Sequence, residues 1–279
     1  MISKKDILTF GEKHRVLWQG NEFIYILPHP ILRDYIANYT ITFPTKEIMS
    51  ERYTAMPDGS AALAVEFDTK NLSATMFGPA TKPYYIGYNP SEMLVIIEFH
   101  PAGFYQLIGI SQNELTDQIV SFETVNTILC KLLYEAIEKA KDIHELVTNL
   151  DNLLLSSMNV NYHPQIKLIL QSIIDSAGNT TLKGLSNEIN YSERQLSRIF
   201  SQHVGVSVKF FSRLVRVNNS FRLLQNFENS ITLVSNTMGF HDLSHFIHDF
   251  NSLCGITPQE YRNNMSDFYS AIAKFSKYN

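Results

Sequence analysis

Arg194, Gln195, Ser197, Arg198 and Ser201 fall within one eight-residue stretch, interleaved with Leu196, Ile199 and Phe200. At 3.6 residues per turn the apolar three share one side of a helix and the polar five the rest. Two guanidiniums on a free helix face suit the major groove of DNA, where one Arg makes two hydrogen bonds to guanine. About fifty residues later Leu243, Ser244, Ile247 and His248 flank a second apolar pair, Phe246 and Phe250. Their chemistry is different. An aliphatic side chain fits a thymine methyl, and an imidazole can add charge toward a phosphate as pH falls.

Other residue types invite other chemistry. His241, His245 and His248 lie four and three residues apart, a spacing that suits Zn²⁺ on one helix face. No H-E-x-x-H pattern is present and no Cys or carboxylate cluster lies nearby, so the expected role is a polar helix face and the expected metal is none. Asp58 and Glu66 resemble a carboxylate pair, but an Asp in Pro-Asp-Gly is a turn residue. There is no Gly-rich phosphate loop and no nucleophile elbow. The expectation is no enzyme and no cofactor.

The elements that must position these side chains form a repeat. From Thr181 the chain reads T-L-K-G-L-S-N-E-I-N-Y, then S-E-R-Q-L-S-R-I-F-S-Q-H-V-G. From Ser230 it reads S-I-T-L-V-S-N-T-M-G-F, then H-D-L-S-H-F-I-H-D-F-N-S-L-C-G. In the first copy Leu182, Leu185 and Ile189 give a short helix a buried face. Asn190 ends it, Ser192 with Gln195 starts the next helix as a capping box, and Gly205 stops that one. In the second copy Ile231, Val234 and Met238 are the inward positions, Gly239 is the stop, Asp242 the next N-cap and Gly255 the final stop. Thr257-Pro258-Gln259-Glu260 is a further capping box with Pro at the first helical position. Between the copies, Ser207 to Gln225 has helical apolar spacing and reads as one long helix. Arg213, Arg216 and Arg222 are expected to be exposed positive charge on it. A rigid spacer is apt, because successive major grooves on one face of DNA lie roughly 34 Å apart.

This arrangement closely resembles the DNA-binding domain of AraC/XylS-type transcriptional regulators, over about Pro164 to Arg262. The resemblance rests on S-x-R-x-L-x-R-x-F at Ser192 to Phe200, G-F-x-D-x-S-x-F at Gly239 to Phe246 and G-I-T-P-Q-E-Y-R at Gly255 to Arg262. It implies that Arg194, Ser197 and Arg198 read bases, with Gln195 and Ser201 beside them in the expected DNA-binding set, and that Leu243, Ser244, Ile247 and His248 hold the reading positions of the second unit. The family usually has Arg where this chain has His248, and often Lys at Asn251. The partners it implies are double-stranded DNA, RNA polymerase, a small-molecule effector of unknown identity and a second copy of the chain.

Charge is unevenly spread. The 279-residue chain has a formal net charge of −4, yet residues 163–265 carry nine Lys or Arg against seven Asp or Glu. Residues 1–162 carry twelve against nineteen, so the acid lies in the amino-terminal half. A surplus of two is modest for a DNA binder and predicts a shallow salt dependence. No sustained apolar run follows Met1, and no stretch approaches a membrane span. Cys130 and Cys254 are expected to be unpaired small hydrophobes. The expectation is a cytoplasmic protein with no membrane contact.

From about Phe23 to His100 the pattern changes to short β-branched and aromatic runs separated by Pro57-Asp58-Gly59, Gly78-Pro79 and Asn89-Pro90. This predicts a small β-barrel or sandwich, followed by helices from about Ala102, including an apolar stripe at Val125 to Ile137 and a helix at Ile143 to Leu155. That stripe serves as core or as a dimer face. The blocks at Met56, Phe77 and Phe99 to Phe104 look similar to an uncharacterised sensor-type domain of some of these regulators. The fold class is therefore α+β. Residues 1–158 form a β-rich effector-binding or dimerisation domain with a helical extension, and 159–279 an all-α domain of two helix-turn-helix units joined by a long helix. The aromatic positions Phe67, Phe77, Tyr84, Tyr85, Tyr88, Phe99 and Phe104 suggest an apolar or aromatic effector, or simply core. The expected function is sequence-specific transcriptional regulation. The alternative is a DNA-repair or modifying protein built on the same double motif, which needs a reactive cysteine.

Overall fold

The structure, a computed structural model, describes residues 2–44, 53–68, 71–86, 91–158 and 163–263. The runs rich in Ile, Val, Tyr and Phe form strands, because branched and aromatic side chains pack well on a pleated surface. They are β1 (Val16–Gln19), β2 (Phe23–Ile26), β3 (Ile36–Thr42), β4 (Tyr53–Ala55), β5 (Ala62–Asp68), β6 (Asn71–Phe77), β7 (Tyr84–Ile86), β8 (Met93–Phe99) and β9 (Ile119–Ser121). Seven of them make one antiparallel sheet in the order β1-β2-β3-β8-β5-β6-β9, while β4 pairs with β7. The sheet is not closed: β1 and β9 are its edges. Both edge strands lie outside the segment where the sequence pattern announced strands.

A short helix, α1 (Lys5–Thr9), precedes the sheet, and α2 (Gly103–Ile108), α3 (Phe122–Val125), α4 (Thr127–Glu138) and α5 (Ile143–Ser156) follow β8. They close one core with the sheet, from Ile7 through Tyr39, Val95, Ile97 and Phe104 to Leu154. Each large apolar side chain buried there stabilises by roughly 1.5–3 kcal/mol. The apolar stripe at Val125 to Ile137 divides. Leu129, Cys130, Leu133, Ala136 and Ile137 enter this core, whereas Ile128 is 75% exposed and Leu132 42%. Beneath the helices a buried polar knot ties α5 to the sheet. Asp151 accepts from Arg15 Nη2 at 2.7 Å, from the His29 amide at 2.8 Å and from Tyr39 Oη at 2.9 Å. Three donors satisfy a carboxylate that burial would otherwise penalise.

The aromatic positions proposed for an effector have separate fates. Phe99 and Phe104 are core, with ring centres 5.1 Å apart. Phe67 packs against the core, and Phe77 stacks on Tyr84 at 5.9 Å. Only the backbone of Tyr85 is described, and Tyr88 lies outside the described residues, as does the Asn89-Pro90 turn.

The remaining helices are α6 (Pro164–Asp175), α7 (Leu182–Glu188), α8 (Glu193–Val204), α9 (Val208–Leu224), α10 (Ile231–Thr237), α11 (Leu243–Cys254) and α12 (Pro258–Asn263). Their starts and stops follow the local chemistry. Thr181, Ser192, Ser207, Ser230 and Asp242 each accept a backbone amide as N-caps. The turn between α7 and α8 needs a left-handed residue, and Asn190 supplies it at φ +55°. Thr257 and Glu260 make both arms of a capping box: Thr257 N–H donates to Glu260 Oε2 at 2.7 Å, and Glu260 N–H to Thr257 Oγ1 at 3.2 Å. Their apolar faces meet in a second core around α9, with Phe200, Phe211, Phe246, Phe250 and Tyr261 all fully buried. Truncating one of these rings to Ala should cost about 3–5 kcal/mol.

Candidate nucleic-acid interface

Each helix-turn-helix presents its second helix outward. On α8, Leu196, Ile199 and Phe200 are buried, and Arg194, Gln195, Ser197 and Arg198 are exposed, with Ser201 half-buried. On α11, Phe246 and Phe250 are buried; Ser244 and His248 are exposed, and Leu243 and Ile247 half-buried. One face therefore carries two arginines, an amide and hydroxyls. The other carries aliphatic groups, a hydroxyl and imidazole.

The long helix α9 packs against both of these helices, and its arginines correct one expectation. Arg213 is not free charge. Its Nε and Nη2 donate to the two oxygens of Asp249 on α11, at 3.0 and 2.8 Å, and Nη2 also reaches Ser252 Oγ at 3.0 Å. Arg216 is not free either. Its Nη2 donates to the Gly178 carbonyl at 2.9 Å, and its guanidinium lies 5.2 Å from the centre of the Phe240 ring. Of the three, Arg222 is the exposed one. The reason is competition: each guanidinium finds a carboxylate, a carbonyl or a ring within reach, and bidentate pairing with a buried carboxylate outweighs hydration. At the far end Arg262 donates to the Leu224 and Asn229 carbonyls, pinning α12 to the end of α9.

Asp249 is the feature the sequence reading missed. Burial alone would raise its carboxyl pKa, but the Arg213 hydrogen bonds and charge, with His245 and His248 nearby, outweigh that and hold it below the usual value. His245 Nε2 lies 3.4 Å and His248 Nδ1 3.6 Å from its oxygens. The signal was present, since a lone carboxylate sits between Phe246 and Phe250 near the inward face of an amphipathic helix. His241 turns instead to Asp242, at 3.0 Å. Among the described residues no three His, Cys, Asp or Glu side chains are grouped to hold a metal ion.

His203, also unremarked in the sequence, is buried in the last turn of α8. Its Nδ1 hydrogen bonds the Ile199 carbonyl at 2.8 Å, and its ring meets Tyr105 at 4.1 Å and His163 at 5.5 Å. Burial first, and the neighbouring His163 charge, bring its pKa down to about 4, against the backbone hydrogen bond that favours the charged form. Both cysteines are buried and their thiols are pushed up by burial, Cys254 the more strongly. Neither is poised as a thiolate nucleophile. Asp58 accepts from the Ser60 amide at 2.9 Å and hydroxyl at 2.7 Å, which is turn chemistry.

Residues 185–264 match a helix-turn-helix domain family, and residues 25–121 match a domain family of unknown function, DUF6597. The chain is similar to an uncharacterised HTH-type transcriptional regulator of Haemophilus influenzae, 23% identical over 261 residues, covering 93% of this chain and 83% of that one. The chain carries an AraC-type helix-turn-helix domain, and the relatives it matches are HTH-type transcriptional regulators. It is also similar to the uncharacterised regulator YisR of Bacillus subtilis, 32% identical over 87 residues, which cover 31% of this chain and 30% of that protein. Among solved structures, ToxT from Vibrio cholerae is similar at 13% identity and a TM-score of 0.43, covering 77% of this chain and 95% of that one. Among the described residues no helix is long and apolar enough to cross a membrane.

Proposed function

We propose that this regulator grips two adjacent major grooves of duplex DNA, reading bases chiefly with α8. Arg194, Gln195, Ser197, Arg198 and Ser201 are the base-reading set, and Leu243, Ser244, Ile247 and His248 the second, weaker set. The observation that carries the reading is the pair of outward helix faces of different chemistry, fastened to one spacer helix. The two guanidiniums of α8 favour guanine. On α11 the aliphatic groups favour a thymine methyl and backbone positioning. Because Arg213 and Arg216 are committed internally, the charge left for phosphate contact is small, so a shallow salt slope is expected.

The division of labour proposed is residues 1–158 for control and dimerisation and 159–279 for DNA, working in the cytoplasm where the DNA is. Control acts through a small molecule or protein bound to the first domain. Among the described residues, the apolar cavity between Phe99, Phe104, Phe122 and Leu133 measures about 10 Å³, room for one water. An effector there must open the sheet-to-helix packing, which makes ligand binding and a change of state one event. RNA polymerase is the proposed partner once the DNA is bound. The buried, raised thiols weigh against the repair or modifying alternative.

The test is selection of bound duplexes from a random pool with the full chain at stated salt, followed by footprinting. Two protected major grooves one helical turn apart support the reading. Protection of one groove, or no enrichment over random DNA, would overturn it.

A further inference from the structure

The first domain touches the far ends of both reading helices. α8 ends at Gly205, whose left-handed φ of +85° lets the chain turn away, and that end is met by three groups of the first domain. Thr116 Oγ1 donates to the Gly205 carbonyl at 2.7 Å. A Cβ placed on Gly205 would lie 2.9 Å from Pro79 Cγ and 3.1 Å from the Gln112 carbonyl oxygen. Two residues earlier, the His203 ring meets Tyr105 of α2 at a tilt, with ring centres 4.1 Å apart. α11 ends at Gly255, and a Cβ there would lie 3.3 Å from Pro83 Cγ. The short segment from Pro79 to Pro83 thus runs from the end of one reader to the end of the other.

That segment is itself held. The Thr81 amide and hydroxyl donate to the two oxygens of Asp117, at 2.6 and 2.7 Å. The Asp117 amide donates to the Pro79 carbonyl at 3.0 Å, and the Gly78 amide to the Gln118 carbonyl at 3.0 Å. Asp117 adopts a left-handed φ of +58°, uncommon outside glycine, to close this double tie. Residues 78–83 and 112–118 are therefore one welded block. Met56 packs against the second core, and with Pro57 it lines a small cleft beside Leu214, Val217 and Phe221 of α9 and Leu253 and Cys254 of α11.

These contacts avoid the reading faces. Arg194, Gln195, Ser197, Arg198, Ser244 and His248 all stay exposed. The block does not cover the DNA surface; it grips the ends of the helices that present it. We propose that the first domain braces the two readers, with Thr116 and Pro83 as positioning residues that set the relative orientation of α8 and α11. The brace determines how strongly a second half-site adds to the first, and which spacing between half-sites is accepted. Thr116 and Pro83 act through one hydroxyl-to-carbonyl bond and proline packing, so either can be removed while the Tyr105–His203 and Met56 contacts remain.

The proposal rests on the two-groove reading, and the test separates the two. With the full chain, affinity is measured on duplexes from the selection carrying both half-sites, the first half-site alone, and both with five base pairs inserted between them. Half a helical turn moves the second site to the opposite face. In the wild type the second half-site should raise affinity about tenfold or more, and the insertion should abolish that gain. In Thr116→Val, and separately in Pro83→Ala at a half-exposed position, the gain should fall about three- to tenfold while affinity for the single half-site stays unchanged. Thr116→Ser should restore it. Circular dichroism and melting of each variant establish that it is folded. Folded variants with the wild-type gain overturn the brace and leave the two-groove reading intact. A wild type that gains nothing from the second half-site overturns that reading and the brace with it.

Discussion

Replacing Arg213 by Ala should unfasten α11 from α9, at a cost that depends on pH. Asp249 is 3% exposed, and its two oxygens accept hydrogen bonds of 3.0 and 2.8 Å from Arg213, whose side chain is 27% exposed. Removing one partner of a buried pair costs about 3–5 kcal/mol, because the other charge is left without compensation. Here the vacated guanidinium site opens to solvent, so water will solvate part of the carboxylate and about 2–3 kcal/mol is expected at pH 7. In the wild type the Asp249 pKa is depressed, so its contribution is present above the ordinary carboxylate range and is lost only as pH falls through the lower folded value. Without Arg213 the burial effect dominates and the pKa rises. The variant then protonates Asp249 at mildly acid pH, relieving the buried charge. The stability gap between wild type and variant should therefore be small at pH 4 and widen as pH rises toward 7. Urea unfolding of both proteins from pH 4 to 7 measures it, and groups common to both, His203 among them, cancel in the difference. Arg213→Met with Asp249→Leu should recover most of the loss, since an apolar pair of similar size leaves no unpaired charge. A gap below about 0.5 kcal/mol, or one independent of pH, would refute the reasoning, because only surface pairs are that weak.

Arg198→Ala should cost about 1–3 kcal/mol on the preferred duplex and relax one base position; an equal loss on random DNA would make Arg198 a phosphate contact. His203, held neutral with a folded pKa of about 4 against an unfolded value near 6.5, makes the wild type lose stability as pH falls from 6.5 to 4 and flatten below that. Its share is about 2–3 kcal/mol, and His203→Gln should remove that slope in acid titrations followed by circular dichroism; an unchanged slope would clear His203. Ile128→Glu with Leu132→Glu on the exposed side of α4 should leave stability within about 0.5 kcal/mol. If that side is the dimer face, the double variant should sediment as a monomer where the wild type is a dimer, and identical sedimentation would remove α4 from that role.

Much of the architecture is written locally. The duplicated caps and stops, from Thr181 to Glu260, lie within a few residues of the amides and turns they serve, so spacing alone locates α7 to α12. The same holds for the outward set from Arg194 to Ser201, because helical periodicity fixes which side faces away from Leu196 and Phe200. The strands β2, β3, β5 and β8 were legible for a similar reason. The edge strands β1 and β9 were not, because a strand with few inward positions has little pattern to show. What the chain alone does not determine are pairings between charges distant in sequence. Arg213 meets Asp249 across 36 positions and Arg15 meets Asp151 across 136. Whether a guanidinium faces solvent or a carboxylate depends on which helices pack together, and that is settled by the core they share. So the sequence by itself determined two helices with outward faces and the side chains they present. Only the tertiary structure decided that Arg213 and Arg216 serve the fold, that His203 is buried, and that Thr116 and Pro83 reach the ends of α8 and α11.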